Sequence, residues 1–184
     1  MATQLKSSLP RNTRFWGVVV ILLLLLCFPL STTFAASPTM SRVMPLLQGY
    51  EWRDRPDVFL NLGEGTDQAL MDIAANADWH AVIRFRALAA LRYFANPQVA
   101  LFLENRIAQE DATDMLRREL EAYAFAFGND QPARVARTTE PLLDHPDAHI
   151  RMRAAVTLQK LPRSAVSQRV QKLLDSGSLA TGLE

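Results

Sequence analysis

DAHIRMRAAVTL, residues 147–158, is the stretch from which the rest of the chain can be read. Its frame is Ile150-Arg151-x-x-Ala154-x-x-x-Leu158, with apolar residues four apart on one helix face and a base beside the first of them. Thirty-four residues earlier the frame recurs in altered form as Leu116-Arg117-x-x-Leu120-x-x-x-Ala124. Another 33 residues back it is sharp again, as Ile83-Arg84-x-x-Ala87-x-x-x-Leu91. A fixed period in the thirties is the signature of a helical repeat array, in which each unit buries its apolar face only against the next.

Outward from this stretch, helical spacing runs through residues 66–176. Leu70, Ile73, Ala74 and Ala77 form one face, and Ile83, Ala87, Leu88 and Leu91 another. Val99, Phe102, Leu103 and Ile107 follow, then Leu116, Leu120, Tyr123, Ala124 and Phe127. Residues 131–144 predict the weakest helix, shortened or kinked by Pro141. Val166, Val170, Leu173 and Leu174 close the series. Asp78 is the expected cap of the second helix, Asn96-Pro97 its expected end, and Pro146 fits the first turn of the 147–158 helix. No window alternates with the period of two that a half-buried strand requires. The expectation is an all-α fold, about seven helices in three to four antiparallel pairs.

The flanks divide the chain further. Residues 1–17 are basic and polar, and residues 18–26 read VVVILLLLL before Pro29 ends the apolar run. That run is too short to span a membrane and suits the centre of a secretory signal peptide. Small residues at Thr33 and Ala35 place the cut after Ala35, with a cut after Ser37 second. Residues 1–35 are thus read as a cleaved signal, 36–65 as a capping segment, 66–176 as the repeats and 177–184 as a loose tail. The protein is expected to be periplasmic or secreted. The alternative is a membrane-anchored docking protein that keeps residues 15–30. The lone cysteine, Cys27, lies inside the apolar run, so the mature chain would have no thiol.

Charge excludes little but locates something. The 20 bases include Lys6, Arg11 and Arg14, which precede residue 36 where no acid occurs, leaving 17 bases against 19 acids in the body. A body near −2 exerts no general pull on nucleic acid or an anionic membrane. Residues 134–172 hold eight bases against three acids, an excess of five. Arg134, Arg137, Arg153, Arg163, Arg169 and Lys172 are the candidate partner-binding residues of this stretch; the plain alternative is a solvated face. Arg84, Arg117 and Arg151 recur at one repeat position and are read as register residues, paired with acids such as Asp114 or Asp147. Tyr50, Trp52 and Phe59 either form an aromatic contact patch or plug the end of the array.

Catalysis finds no support. Gly63-Glu64-Gly65-Thr66 lacks the lysine and the preceding strand of a phosphate loop, so it reads as a turn into a helix. His145 and His149 are four apart, but Pro146 separates them and no third ligand is evident; His80 stands alone. No nucleophile triad or paired catalytic carboxylates emerge from spacing. No metal, cofactor or catalytic residue is therefore assigned.

The hydrophobic-Arg-x-x-Ala-x-x-x-Leu helix, followed by a Pro- or Asn-marked turn and a second amphipathic helix, resembles the short bacterial HEAT-type repeats, sometimes called phycobilisome-lyase-like. Ile83-Arg84-x-x-Ala87 and Ile150-Arg151-x-x-Ala154 carry the resemblance over about residues 66–175; the middle unit departs at Leu120 and Ala124. The resemblance implies an α-solenoid that serves as a non-catalytic scaffold or adaptor for another protein. It also admits a lyase-like enzyme on the same frame. Some members of such families act on bilins or alkylated DNA. Export argues against both substrates, and the sequence offers no basic groove with interleaved aromatics for nucleic acid.

Overall fold

Gly65, at φ +81°, turns the chain into the repeat region: it precedes the helix Thr66–Ala75, and the Thr66 hydroxyl donates back to the Gly63 carbonyl at 2.7 Å. A side chain at either glycine would be strained by the positive φ. The computed structural model describes residues 38–177, which belong to one compact unit, Ala36–Glu184. Among these residues there are nine α-helices and no strand. They are α1 Pro38–Gln48, α2 Pro56–Leu60, α3 Thr66–Ala75, α4 Ala81–Leu91, α5 Pro97–Gln109, α6 Thr113–Phe127, α7 Pro132–Thr139, α8 Ala148–Gln159 and α9 Gln168–Asp175. The expected signal peptide with its cut after Ala35, and the tail beyond residue 177, lie outside the described residues. No described helix is long and apolar enough to cross a membrane.

Short connectors return each helix against its predecessor. Residues 76–80 join α3 to α4, and residues 110–112 join α5 to α6. Pro141 has the effect expected of it: α7 stops at Thr139 and continues as a 3-10 turn, Glu140–Asp144, which lies against α8. Pairing therefore runs α3 with α4, α5 with α6, and α7 plus its 3-10 turn with α8. The second helix of each pair also packs on the second helix of the next, α4 on α6 and α6 on α8. Side chains about one repeat apart meet as a result. The Thr113 hydroxyl donates to Asp147 at 2.9 Å, and Arg92 lies 4.5 Å above the Phe125 ring.

Helix starts correct three expectations. His80, rather than Asp78, caps α4, its Nδ1 accepting from the Val82 N–H; the Asp78 N–H is taken by Asn76 in a local turn. Asn96 does not end the preceding helix but caps α5, accepting from Val99 with Pro97 in the first turn. Pro146 stands before the cap of α8. Asp147 is that cap, accepting from His149 and Ile150. In each case an orphan N–H of the first turn finds the nearest oxygen or nitrogen that an extended cap residue can turn toward it.

One continuous core joins all pairs. Ala87 and Ala154 are fully buried, as are Leu91 and Leu158, so small and large residues alternate where α4 and α8 meet their neighbours. The middle unit exchanges the two sizes: Leu120 is fully buried and Ala124 is partly exposed. Leu116 and Ile150 are interior, whereas Ile83 is half-buried. The segment α1 lies mainly on α3 and covers α4 less, which leaves the first turn of α4 more open. Val43, Leu47 and Phe59 from α1 and α2 seal this end of the core. Ala77, expected on an inner face, is exposed because α3 has already ended.

Candidate interaction groove

The face of α4, α6 and α8 turned away from the partner helices carries two adjoining cavities of about 210 and 410 Å3. They share Arg92 and Glu121, so together they form one groove across three helices. From α4 come Val82, Phe85, Arg86 and Ala89, at i, i+3, i+4 and i+7, with Arg92 just past the helix end. From α6 come Arg118, Glu121, Ala122 and Phe125, at the same spacing. From α8 come Arg153, Val156 and Thr157, followed by Lys160. Trp52, from the loop between α1 and α2, covers one end.

Five cations thus line the groove against one acid, Glu121. Two of them are ion-paired: Arg118 with Glu121 at 3.3 Å, and Arg92 with Asp54 from the capping segment. Arg86 donates to the Leu47 carbonyl at 2.6 Å and the Gly49 carbonyl at 2.8 Å, which anchors α4 to the end of α1 without neutralising the guanidinium. Arg153 and Lys160 have no carboxylate within ion-pair distance among the described residues. Three rings of the groove lie beneath guanidinium groups, Trp52 under Arg86 at 6.0 Å, Phe85 under Arg118 at 5.8 Å, and Phe125 under Arg92 at 4.5 Å, and Arg92 also lies 5.0 Å above the neighbouring Tyr93 ring. Tyr93 meets the Phe125 ring edge-on at 5.5 Å and hydrogen-bonds Asp54. Phe125 is nevertheless 56% exposed, the most exposed aromatic ring of the helical body.

The sequence offers no basic groove with interleaved aromatics; the structure brings bases and aromatics from separate helices together around these cavities. The contributors run from residue 52 to residue 161, on four segments that are far apart in the chain. The signal available in the sequence was the repeat itself. Phe85 and Arg118 are one repeat apart, as are Arg92 and Phe125, so aligning the units would have set each cation beside its ring.

The six candidate binding bases do not converge. Arg134 reaches Glu104 on α5 in a two-pronged pair, Nε at 2.6 Å and Nη2 at 2.9 Å. Arg169 makes the same kind of pair with Asp144 at the surface, and Arg163 pairs with Asp175. Arg137 and Lys172 are exposed and lie outside the groove. Arg153 alone of the six lines it. Of the excess of five in residues 134–172, acids from outside the stretch pair with two bases, Glu104 with Arg134 and Asp175 with Arg163, while Asp144, which holds Arg169, lies within it.

The repeat arginines act within a unit. Arg84 donates to the Ala74 carbonyl at 3.0 Å, in the last turn of α3. Arg151 donates to the His145 and Pro146 carbonyls at 2.9 and 2.7 Å, just past the 3-10 turn. Arg84 satisfies a carbonyl left orphaned in the last turn of α3, and Arg151 the two carbonyls between the 3-10 turn and the cap of α8. Arg151 does not bond Asp147, whose carboxylate is engaged in capping α8 and in accepting from Thr113. The Thr113 hydroxyl and the two capping N–H groups hold that carboxyl below the usual range. Arg117 instead pairs with Asp114 along its own helix at 3.2 Å.

Two further ionic clusters are internal. Glu104 accepts from Arg134 and from the Tyr123 hydroxyl, at 2.5 Å. Arg134 beside it, ahead of the smaller effect of Tyr123, holds the Glu104 carboxyl below the ordinary range. Burial, together with that carboxylate, pushes the Tyr123 hydroxyl up to about 12. Glu119 is fully buried and accepts from Arg106 at 2.8 Å. Desolvation pushes its carboxyl upward against the pull of Arg106.

The remaining candidates separate. Phe59 is core, Tyr50 is fully exposed, and only Trp52 reaches the groove. His145 Nδ1 accepts the Asp147 N–H at 3.1 Å, while His149 is an exposed first-turn residue. Among the described residues no three His, Cys, Asp or Glu side chains gather as metal ligands would. Comparison of the chain with family models, curated proteins and solved structures returns no match.

Proposed function

We propose that this protein is an exported, non-catalytic scaffold of HEAT-like helix pairs, stacked as a short solenoid, which holds another protein in the groove of α4, α6 and α8. The observation that carries the reading is the groove itself. It crosses three successive helix pairs, is lined by bases and aromatics, and exposes Phe125 in the larger of its two cavities. Aromatic and arginine side chains are the residues that supply most binding energy at protein interfaces. Contact between side chains one repeat apart, as in Phe85–Arg118 and Arg92–Phe125, supports the solenoid.

A photo-crosslinking residue in place of Phe125, compared with one in place of Leu101, tests the reading in the exporting cell. Leu101 is equally exposed but lies on α5, by the shallow surface shared with α3. A discrete crosslinked protein from position 125 and none from position 101 is expected. Equal products from both, or none from either, would remove the groove as the working face. N-terminal sequencing of the same material addresses export: a start at Ala36 is expected, whereas an intact N-terminus points to a tethered docking protein.

A further inference from the structure

We infer that the groove's occupant is a short acidic segment of a partner protein, bound extended across α4, α6 and α8 with carboxylates at both ends and an apolar side chain against Phe125. This rests on the proposed scaffold reading and specifies its partner.

Charge complementarity is the main ground. After the pairs Arg92–Asp54 and Arg118–Glu121 are set aside, three cations are left without an acid: Arg86 at one end, Arg153 and Lys160 at the other. Between them Ala89 and Phe125 supply apolar surface beside the two ion-paired arginines, Arg92 and Arg118, and Glu121. Neighbouring helix axes lie about 8–10 Å apart, so three abreast span roughly 16–20 Å. At about 3.3 Å per residue an extended chain crosses that in some five or six residues. The uncompensated cations stand at the two ends of that path, with Phe125 and already paired charges between them.

A single-stranded nucleic acid is the other polyanion to weigh, and two features disfavour it. Such ligands gain much of their affinity by stacking bases on open ring faces. Here Trp52, Phe85 and Phe125 each already hold a guanidinium over a face. Beyond the groove the body carries more acids than bases, which repels a long polyanion but not a short one that ends within the groove.

Fluorescence anisotropy on the full chain tests the inference. The probes are a labelled Asp-Glu-Leu-Phe-Glu-Asp peptide, the charge-reversed Lys-Arg-Leu-Phe-Arg-Lys peptide and a labelled oligothymidylate. The acidic peptide is expected to bind at least about tenfold more tightly than either other probe, and less tightly as salt rises. Arg153→Glu with Lys160→Glu should weaken it about tenfold or more, since two attractions become repulsions. Arg163→Glu, on a base paired with Asp175 outside the groove, should leave it unchanged. Far-ultraviolet dichroism of each variant confirms that the fold is kept. Equal binding of the basic peptide, tighter binding of the oligothymidylate, no binding of the acidic peptide, or indifference to the double reversal would each overturn the inference. If the peptide fails while crosslinking at position 125 persists, the groove remains the working face and only the acidic occupant is lost. If both fail, the scaffold reading goes with it.

Discussion

Removal of the Glu104 side chain offers the sharpest test of how adjacent helix pairs are joined. Its carboxylate, on α5, accepts from Tyr123 on α6 and twice from Arg134 on α7, so one group ties the second pair to the third. The side chains of Arg134 and Glu104 are 30% and 23% exposed. An exposed pair contributes up to about 1 kcal/mol, and breaking a buried one costs about 3–5. Partial exposure places this pair at about 1–2 kcal/mol. Tyr123 is fully buried, so its hydroxyl, deprived of this acceptor, adds roughly 1–2 kcal/mol of desolvation that is no longer repaid. Glu104→Ala should therefore cost about 2–4 kcal/mol. Urea titration of Glu104→Ala, Arg134→Ala and the double variant isolates the pair, with an expected coupling of about 1–2 kcal/mol at neutral pH. The Glu104 carboxyl sits below its ordinary value when folded, so this stability is present above the ordinary carboxylate range and is lost as pH falls through the folded value. A coupling below about 0.3 kcal/mol at neutral pH, or one that persists after acidification, would refute the assignment.

Other expectations follow from the same contacts. Leu158→Ala should cost about 2–5 kcal/mol in a denaturant titration, because the side chain is fully buried and leaves a cavity; a loss under half a kilocalorie would show that the site is not interior. Arg84→Ala and Arg151→Ala should each lose about 1 kcal/mol by thermal melting, since each bonds carbonyls at a helix end, while Arg117→Ala, which breaks an exposed pair within one helix, should lose less than about 0.5. The Tyr123 hydroxyl is raised from 10.0 to about 12 in the folded chain, so the unfolded chain releases its proton first and stability should fall from about pH 10 towards 12. Tyr123→Phe should remove that part of the alkaline slope, and an unchanged slope would count against the buried hydroxyl as its source.

Much of the helical plan was legible because its causes are local. The Ile150, Ala154, Leu158 spacing assigns an inner face with no knowledge of the neighbour, and all three residues are interior. Pro141 foretells the end of α7 because its ring excludes a helical hydrogen bond wherever it falls. Helix starts were less legible. His80 and Asp78 are both able to cap, and the choice depends on which residue the turn from α3 leaves extended. The ion pairs of the charge run 134–172 were hidden for a related reason. Its compensating acids, Glu104 and Asp175 among them, lie outside it or at a distance along the chain, and contact rather than sequence proximity decides which cations are free.

The candidate site was legible only through the repeat period, which relates Phe85 to Arg118 and Arg92 to Phe125. Each helix by itself displays an ordinary solvated face: Arg86 and Arg92 on and beside α4, Arg118 and Phe125 on α6, Arg153 on α8. The sequence by itself determined that there would be helices, that Pro141 would shorten one of them, and that similar units recur every 33 or 34 residues. The stacking of α4, α6 and α8 brings the pairs that the period relates, Phe85 with Arg118 and Phe125 with Arg92, into contact, and it alone left Arg86, Arg153 and Lys160 without acids around one groove. Helix formation is driven by hydrogen bonds and faces a few residues long, whereas a binding surface depends on which distant side chains are brought within a few ångströms, and that is decided by how the core faces close on one another.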